Sequence, residues 1–336
     1  MQNQFPKISV MIPTYNRAGY LIDAIESAMS QDYPNFEVIV SDNASTDGTL
    51  EVIKKYQNDP RFRYYRNDKN LGGGVNYENL LYKYAEGLYG KYLTDDDYLI
   101  DRKHLSKAMH IIQKYNVKVV FSAAINKFEE ENIELNMSFD LDDAVDRQWW
   151  IDHLCTNYKG FTIFPSCMSG NVFEIENAKR LNSFRLGQYY HDYEFAIKCI
   201  LMDNKTGYIK EPSYVERRHP GQEGRTSFEK ALKGTQIFNN IYNFGIQAGI
   251  DKKVMMKLRY RGFKFFIRGY LLQNWVNENG NSLHSLWKFL GELKKFHTDM
   301  PLIVLTDLQS MVKFFSRNTP VYDFLRNTYL RIHKQK

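Results

Sequence analysis

Along residues 7–124, short apolar runs alternate with longer stretches whose apolar residues recur at helical spacing. KISVMI (7–12) is a solid apolar run, the mark of a buried strand, and PTYNR closes it with a turn. In AGYLIDAIESAMSQ (18–31), Leu21, Ile22, Ile25, Ala28 and Met29 fall on one helical face. FEVIVSD (36–42) predicts a second strand, and Asp47-Gly48-Thr49 then opens a helix that runs to about Tyr56. RFRYYR (61–66) predicts a third strand. NLGGG (70–74) is a loop before a helix that reaches about Glu86. KYLT (91–94) is a fourth strand, a helix covers about 102–115, and VKVVFSAA (117–124) is a fifth strand. Such alternation predicts an α/β fold, with a largely parallel sheet flanked by helices on both faces.

The later pattern is less regular. Residues 125–148 are acidic and predict an excursion from the sheet. FTIFPSCMSGNVFE (161–174) predicts two short strands around a turn. LGQYYHDYEFAIKCILM (186–202) becomes helical after His191. TGYIKEP (206–212) is a further strand, RRHPGQEGRTS (217–227) is a loop, and beyond Phe228 the pattern is nearly all helical. This divides the chain into a domain over 1–226, with halves at about 1–124 and 125–226, and a helical C-terminal region over 227–336.

In an open parallel sheet, ligands bind at the carboxyl ends of the strands. Four polar clusters fall there: Thr14 to Arg17, Asp42 to Asp47, Asn70 to Gly73, and Asp95 to Asp97. Three adjacent carboxylates repel one another, and burying any of them unpaired is costly. A solvated Asp-rich turn is one explanation of them. A hard divalent cation is the other, since Mg²⁺ and Mn²⁺ are held by one or two carboxylates while substrate phosphates complete the shell. Four clusters at four strand ends favour the cation.

The remaining constellations each have two readings. Asp42 ends the second strand, where its carboxylate can accept from a nucleobase imide or a ribose hydroxyl, whereas Asp47 is read as a helix cap. NLGGG offers close backbone approach and a helix N-terminus suited to phosphate, or is a plain turn. His191 and Asp192 either cap a helix or supply, through Asp192, a general base. Arg217, Arg218, His219 and Arg225 form a solvated basic loop or a pyrophosphate clamp, with His219 a further metal ligand.

In this order and spacing, PTYNR, SDNASTDGT, NLGG, YLTDDDYL and HDYEF resemble family 2 of the glycosyltransferases, over about residues 7–225. The resemblance implies the GT-A fold, a nucleoside-diphosphate sugar donor, a divalent metal (Mn²⁺ or Mg²⁺) and inversion at the anomeric carbon. Uridine is the family's usual base, with thymidine and cytidine open. By the same resemblance Pro13, Tyr15 and Arg17 border the nucleotide pocket, Asp42 contacts base or ribose, and Asn70, Gly72 and Gly73 join the donor site. Asp95 and Asp96 are the DxD-type carboxylates. Thr94 stands where the family often has its first acid, which leaves Asp96 and Asp97 as the closing pair. Asp96 is thus the main metal ligand, with Asp95 or Asp97 its helper. Asp192 is the base, although His191 replaces the usual Glu beside it. Arg218 and His219 match a loop that closes over the diphosphate, and Phe164 to Asn171 lies where the acceptor is received.

Charge and cysteine content add limits. From Asp251 to Lys336 there are 16 Lys and Arg against 6 Asp and Glu, so the rest of the chain is net acidic. DKKVMMKLRYRGFKFFIRGYLLQNW reads as a basic amphipathic helix, either packed on the catalytic domain or lying on an anionic membrane. Apolar stripes at 283–296 and 302–315 could instead build a homo-oligomer contact. Cys155, Cys167 and Cys199 are odd in number and show no metal spacing, which argues against a disulfide framework and zinc. With no signal-like or membrane-spanning run, the sequence predicts a cytoplasmic protein or one on the inner face of the cell membrane. The expected acceptor is a glycan or a lipid-linked saccharide. A nucleotidyltransferase would carry a basic Gly-rich segment where PTYNR stands. A nucleic-acid binder would leave the strand-end carboxylates unexplained, so no nucleic-acid partner is expected.

Overall fold

The computed structural model describes residues 5–130, 132–156, 168–183, 191–219 and 233–277, with side chains described to residue 264. A ten-stranded sheet forms its centre. Strands β1 (Ile8–Thr14), β2 (Phe36–Asp42), β3 (Phe62–Arg66) and β4 (Tyr89–Tyr92) run parallel in the order β3-β2-β1-β4. This half matches the alternation seen in the sequence. The register aligns Thr14 with Asp42 and Asp42 with Arg66, so three strand ends present one polar row.

The other half is mixed. β9 (Asn171–Glu174) inserts antiparallel between β4 and β6 (Val119–Phe128). β10 (Lys205–Arg218) runs parallel to β6, and the two-residue β5 (Tyr98–Leu99) pairs antiparallel with β10. Segment 125–148 holds more strand than its acidity suggests. β6 runs on to Phe128, β7 (Ile133–Met137) folds back on it, and β8 (Ala144–Asp146) pairs with β10. Charged positions such as Lys127 and Glu134 pair across that hairpin, and their polarity hid it. Of the strands expected in 161–174, the second is β9, and residues 161–167 lie outside the described residues.

Alternate strand residues feed two cores, as the two-residue period of a strand requires. Ile8, Val10 and Ile12 meet α1 (Ala18–Met29), α2 (Thr49–Lys54) and α4 (His104–Tyr115) on one face. On the other, Met11, Tyr92, Phe121 and Phe173 pack with α5 (Arg147–Thr156), α6 (Ile175–Leu181) and α7 (His191–Met202). α3 (Gly73–Asn79) runs into a π-helical turn over Leu80–Tyr84 beside this second core.

The first described part of the C-terminal region packs against the second core. α8 (Gln236–Gln247) and α9 (Lys252–Asn277) bring Ile237, Phe238, Ile241, Met255, Leu258 and Phe263 into the second core. Their crossing needs two glycines. A Cβ on Gly245 would strike Met255, and one on Gly262 would strike Phe238. α7 is clamped as well. Lys198 pairs with buried Glu194 and donates to the Leu181 carbonyl at 2.9 Å, while Asn240 donates to Glu194 at 3.2 Å. Cys155 and Cys199 are buried free thiols. Among the described residues no helix is long and apolar enough to cross a membrane. The stripes at 283–296 and 302–315, and the sequence after them, lie outside the described residues.

Candidate active site

The strand-end loops of β1 and β2 are tied together. The Asn16 amide donates to Ser45 Oγ at 2.9 Å, and Asn16 Oδ1 accepts the Thr46 amide at 2.7 Å. Asn16 takes a left-handed φ of 52°, which asparagine tolerates better than most residues. Asp47 accepts from the amides of Thr49 and Ala18, the first residues of α2 and α1, although the N-cap position of α2 falls on Gly48 rather than on Asp47. Pro13 sits in β1 opposite Ser41, and Tyr15 is 42% exposed just beyond the strand.

Asp42 is fully buried. Its Oδ1 accepts the Ser45 amide at 2.8 Å, and its Oδ2 accepts Tyr64 at 2.8 Å and Arg66 at 2.9 Å. Asn43 then reaches the glycine loop. Its amide donates to Asn70 Oδ1 at 2.8 Å, which also accepts the Gly72 amide, and its own Oδ1 accepts the Leu71 amide at 2.9 Å. Gly72 needs its φ of +86°, where a side chain would be strained. Gly72, Gly73 and Gly74 open onto free space at the start of α3.

The three aspartates divide by their partners. Asp97 is enclosed: Oδ2 accepts Thr94 Oγ1 at 2.5 Å and Ser169 Oγ at 2.6 Å, and Oδ1 accepts the Arg217 amide at 3.1 Å. Burial, with Asp96 and Glu216 nearby, pushes its carboxyl up to about 8, against the pull of those donors. Asp95 and Asp96 instead share one cation. Arg17 Nη1 stands 3.0 Å from Asp95 Oδ1 and 2.7 Å from Asp96 Oδ2. The Tyr15 amide adds a contact to Asp95 at 3.4 Å, and His219 Nε2 lies 3.3 Å from Asp96 Oδ2. Burial raises the Asp95 carboxyl to about 6, Asp96 adds to the rise, and Arg17 opposes it. Beneath the loop, burial lowers Lys91 to about 7 against the attraction of Asp97, and its ammonium donates to the Ser169 carbonyl.

The end of β10 closes the site. Arg218 pairs with Glu216 and is 44% exposed in its side chain. Arg217, grouped with the basic loop in the sequence, turns to α1. It pairs with Asp23 and lies between the rings of Tyr20 and Tyr98, at 5.2 and 4.5 Å. Tyr20 stacks on His219 at 4.5 Å between centroids and donates to Glu129 at 2.8 Å. Arg225 lies outside the described residues, as does 164–167 of the expected acceptor segment. Asp192 occupies the first turn of α7 and accepts no hydrogen bond from a described residue.

Three contributors were not singled out in the sequence. Burial raises the Tyr77 phenol well above its usual range, and Asp95, Asp96, Asp192 and Asp97 add to the rise; its ring centroid lies 5.2 Å from those of Tyr92 and His191. Burial also raises Glu216, with Arg218 opposing and Asp192 and Asp96 adding. Tyr20 is the third. None belongs to a motif, and a single tyrosine among 24 carries no signal of its own.

Among the described residues, no group of three or more His, Cys, Asp or Glu forms a ready metal cage. The carboxylates nonetheless fit a divalent ion. Asp95 and Asp96 already aim oxygens at one cationic nitrogen, and two carboxylates plus substrate oxygens suit Mg²⁺ or Mn²⁺.

A polar row on parallel strand ends, a glycine loop opening a helix and an acidic loop beside them meet at one edge of the sheet, where open α/β sheets bind their ligands. The chain belongs to glycosyl transferase family 2, whose model matches residues 9–175. It is 35% identical over 116 residues to the poly(ribitol-phosphate) beta-N-acetylglucosaminyltransferase TarS of Staphylococcus aureus, covering 34% of this chain and 20% of that protein. It therefore spans about one fifth of that relative's length. A GalNAc(5)-diNAcBac-PP-undecaprenol beta-1,3-glucosyltransferase of Campylobacter jejuni is 28% identical over 63% of this chain and 65% of its own length. The crystal structure of TarS residues 1–349 with UDP-GlcNAc superposes with a TM-score of 0.72 at 18% identity, covering 93% and 92% of the two chains. The mannosyltransferase PcManGT of Pyrobaculum calidifontis, with GDP-Man and Mn²⁺, superposes at 0.51 and 17% identity, covering 93% and 88%. These structural likenesses establish the GT-A fold.

Proposed function

We propose that the chain moves a sugar from a nucleoside-diphosphate sugar, with uridine as the base, to a hydroxyl of a cell-surface glycan or lipid-linked saccharide, inverting the anomeric centre. The observation that carries this reading is the aim of Asp95 and Asp96 at one cation, at the strand ends of a nucleotide-binding sheet. The names of the relatives support it. TarS acts as an N-acetylglucosaminyltransferase and the Campylobacter protein as a glucosyltransferase with an undecaprenol-linked acceptor.

Asp95, Asp96 and His219 would hold the metal. Once bound, the ion neutralises charge on the departing diphosphate. Asp97 holds the loop through its three donors. Pro13, Tyr15 and Asp42 border the base and ribose, while Asn70, Gly72, Gly73 and the start of α3 receive the diphosphate together with Arg218. Asp192 takes the proton from the acceptor hydroxyl as that oxygen bonds to the anomeric carbon and the sugar–phosphate bond breaks. The diphosphate keeps the bonding electrons, and a single displacement inverts the centre. Peripheral contact of the basic C-terminal helices with the inner face of the membrane belongs to the same proposal, because it would bring the site to a lipid-linked acceptor.

Thermal shift with a panel of nucleoside diphosphates, with and without Mn²⁺, tests the reading on wild type and Asp96→Ala. A ligand that binds the folded state alone raises its melting temperature. The expected result is stabilisation of wild type by UDP with Mn²⁺ and no such response in Asp96→Ala. If no diphosphate shifts wild type under any condition, the transferase reading falls.

A further inference from the structure

Arg17 stands where it obstructs the metal. Its Nη1 lies between Asp95 Oδ1 and Asp96 Oδ2, at 3.0 and 2.7 Å. A divalent ion bound between those oxygens would sit about 2.0–2.2 Å from each, and a guanidinium nitrogen cannot share that position. Among the described residues Arg17 makes no other side-chain hydrogen bond, so leaving the carboxylates costs it its partners. Its side chain is 22% exposed at the rim of the strand ends, on the first residue before α1. An anion arriving there offers a guanidinium two-pronged hydrogen bonds of the kind a phosphate accepts.

Building on the transferase reading above, we propose that Arg17 and the divalent ion compete for the Asp95–Asp96 position. The donor's diphosphate, by taking Arg17 as its partner, opens that position to the metal. Metal and donor then bind together, through a residue that exchanges one anion for another. The coupling is reciprocal, as linkage requires: whatever factor UDP adds to Mn²⁺ affinity, Mn²⁺ adds to UDP affinity. Direct bonding of phosphate to metal also contributes to that factor. Arg17 adds the part that comes from weakening metal binding when no diphosphate is present.

The test uses the full chain, Mn²⁺ as the probe and electron paramagnetic resonance of free Mn²⁺ as the readout, with and without UDP. Wild type, Arg17→Gln and Asp96→Asn are compared. Without UDP, Arg17→Gln is expected to bind Mn²⁺ about tenfold or more tightly than wild type. With UDP the two should differ less, so the measured coupling shrinks in the variant. Asp96→Asn should bind poorly in both conditions. If wild type gains Mn²⁺ affinity with UDP but Arg17→Gln binds no tighter without it, the competition is refuted while the transferase site stands. If wild type binds no Mn²⁺ even with UDP, the site reading fails and the competition with it. Arg17→Met, which keeps the apolar stem, carries the same comparison if Arg17→Gln does not fold.

Discussion

Ser169 is a fully buried hydroxyl that ties the acidic loop to the chain entering β9. It donates to Asp97 at 2.6 Å and accepts the Thr94 amide at 3.1 Å. Ser169→Ala leaves the Thr94 amide without that acceptor and removes one of Asp97's three donors. An unsatisfied buried donor costs about 1–3 kcal/mol and a lost hydrogen bond about 1 kcal/mol, so the sum is about 2–4 kcal/mol. At ~2 °C per kcal/mol, suited to a long chain, the variant should melt roughly 4–8 °C below wild type.

The effect on function should exceed what that instability implies. Asp95 and Asp96 adjoin Asp97 in the chain, so slack at Asp97 moves the oxygens proposed to hold the metal. Removal of a group that orients metal ligands typically weakens binding by about 10–100-fold. The assay is Mn²⁺ binding in the presence of UDP at a temperature where Ser169→Ala is fully folded. Thr156→Ala, on an exposed residue of α5, is the control and should change neither quantity. A Ser169→Ala variant that melts within about 1 °C of wild type and binds Mn²⁺ equally well would refute the reasoning.

Two further outcomes follow from the site. Asp192→Asn should lower kcat, read as UDP release, by about 10²–10⁴-fold while Mn²⁺–UDP binding stays as in wild type, and equal losses in both would count against the base role. Lys91 tests the buried charge beneath the loop: because its folded pKa of about 7 lies below its unfolded value, the unfolded chain binds the extra proton between about pH 7 and 10.5. Its contribution to stability is therefore complete only above that window, is lost as pH falls across it, and is gone below about 7. The stability of Lys91→Met relative to wild type should thus be greatest near pH 6 and decline by several kcal/mol toward pH 10. Parallel stability–pH curves for the two proteins would sink this account.

The strand-end chemistry was legible because a parallel sheet makes it periodic. Each apolar run stops where the chain must leave the sheet, and the polar residues that follow are brought to one edge whatever the loop details. That is why β2 came out at its observed bounds, and why the clusters at Thr14, Asp42, Asn70 and Asp95 lie on one side of the molecule. The two-residue β5 and four-residue β9 were harder, since runs that short carry almost no period. Side-chain choice among neighbours was not legible at all. Nothing in TDDD says that Asp97 turns to Thr94, Ser169 and Arg217 while Asp95 and Asp96 face Arg17. That division depends on Ser169 and Arg217, which are 72 and 120 positions away in the chain.

The same long-range placement explains why the acidic residues coexist. Asp95, Asp96, Asp97, Asp192 and Glu216 come from three separate segments; Asp96 adds to the raised proton affinity of Asp95, Asp97 and Glu216, and Asp192 to that of Glu216 and Tyr77. Against them stand Arg17 and Arg218, each paired to a carboxylate of the group. A fold selected for stability alone would gain by replacing several of these acids with apolar residues. Their presence together fits the proposed site, which takes more positive charge than the chain supplies. A divalent ion adds that charge, and a diphosphate gives the arginines somewhere else to bind. On the proposed reading, a metal and a donor bound together would offset the repulsion among these carboxylates, beside the Asp192 proposed to take the acceptor's proton.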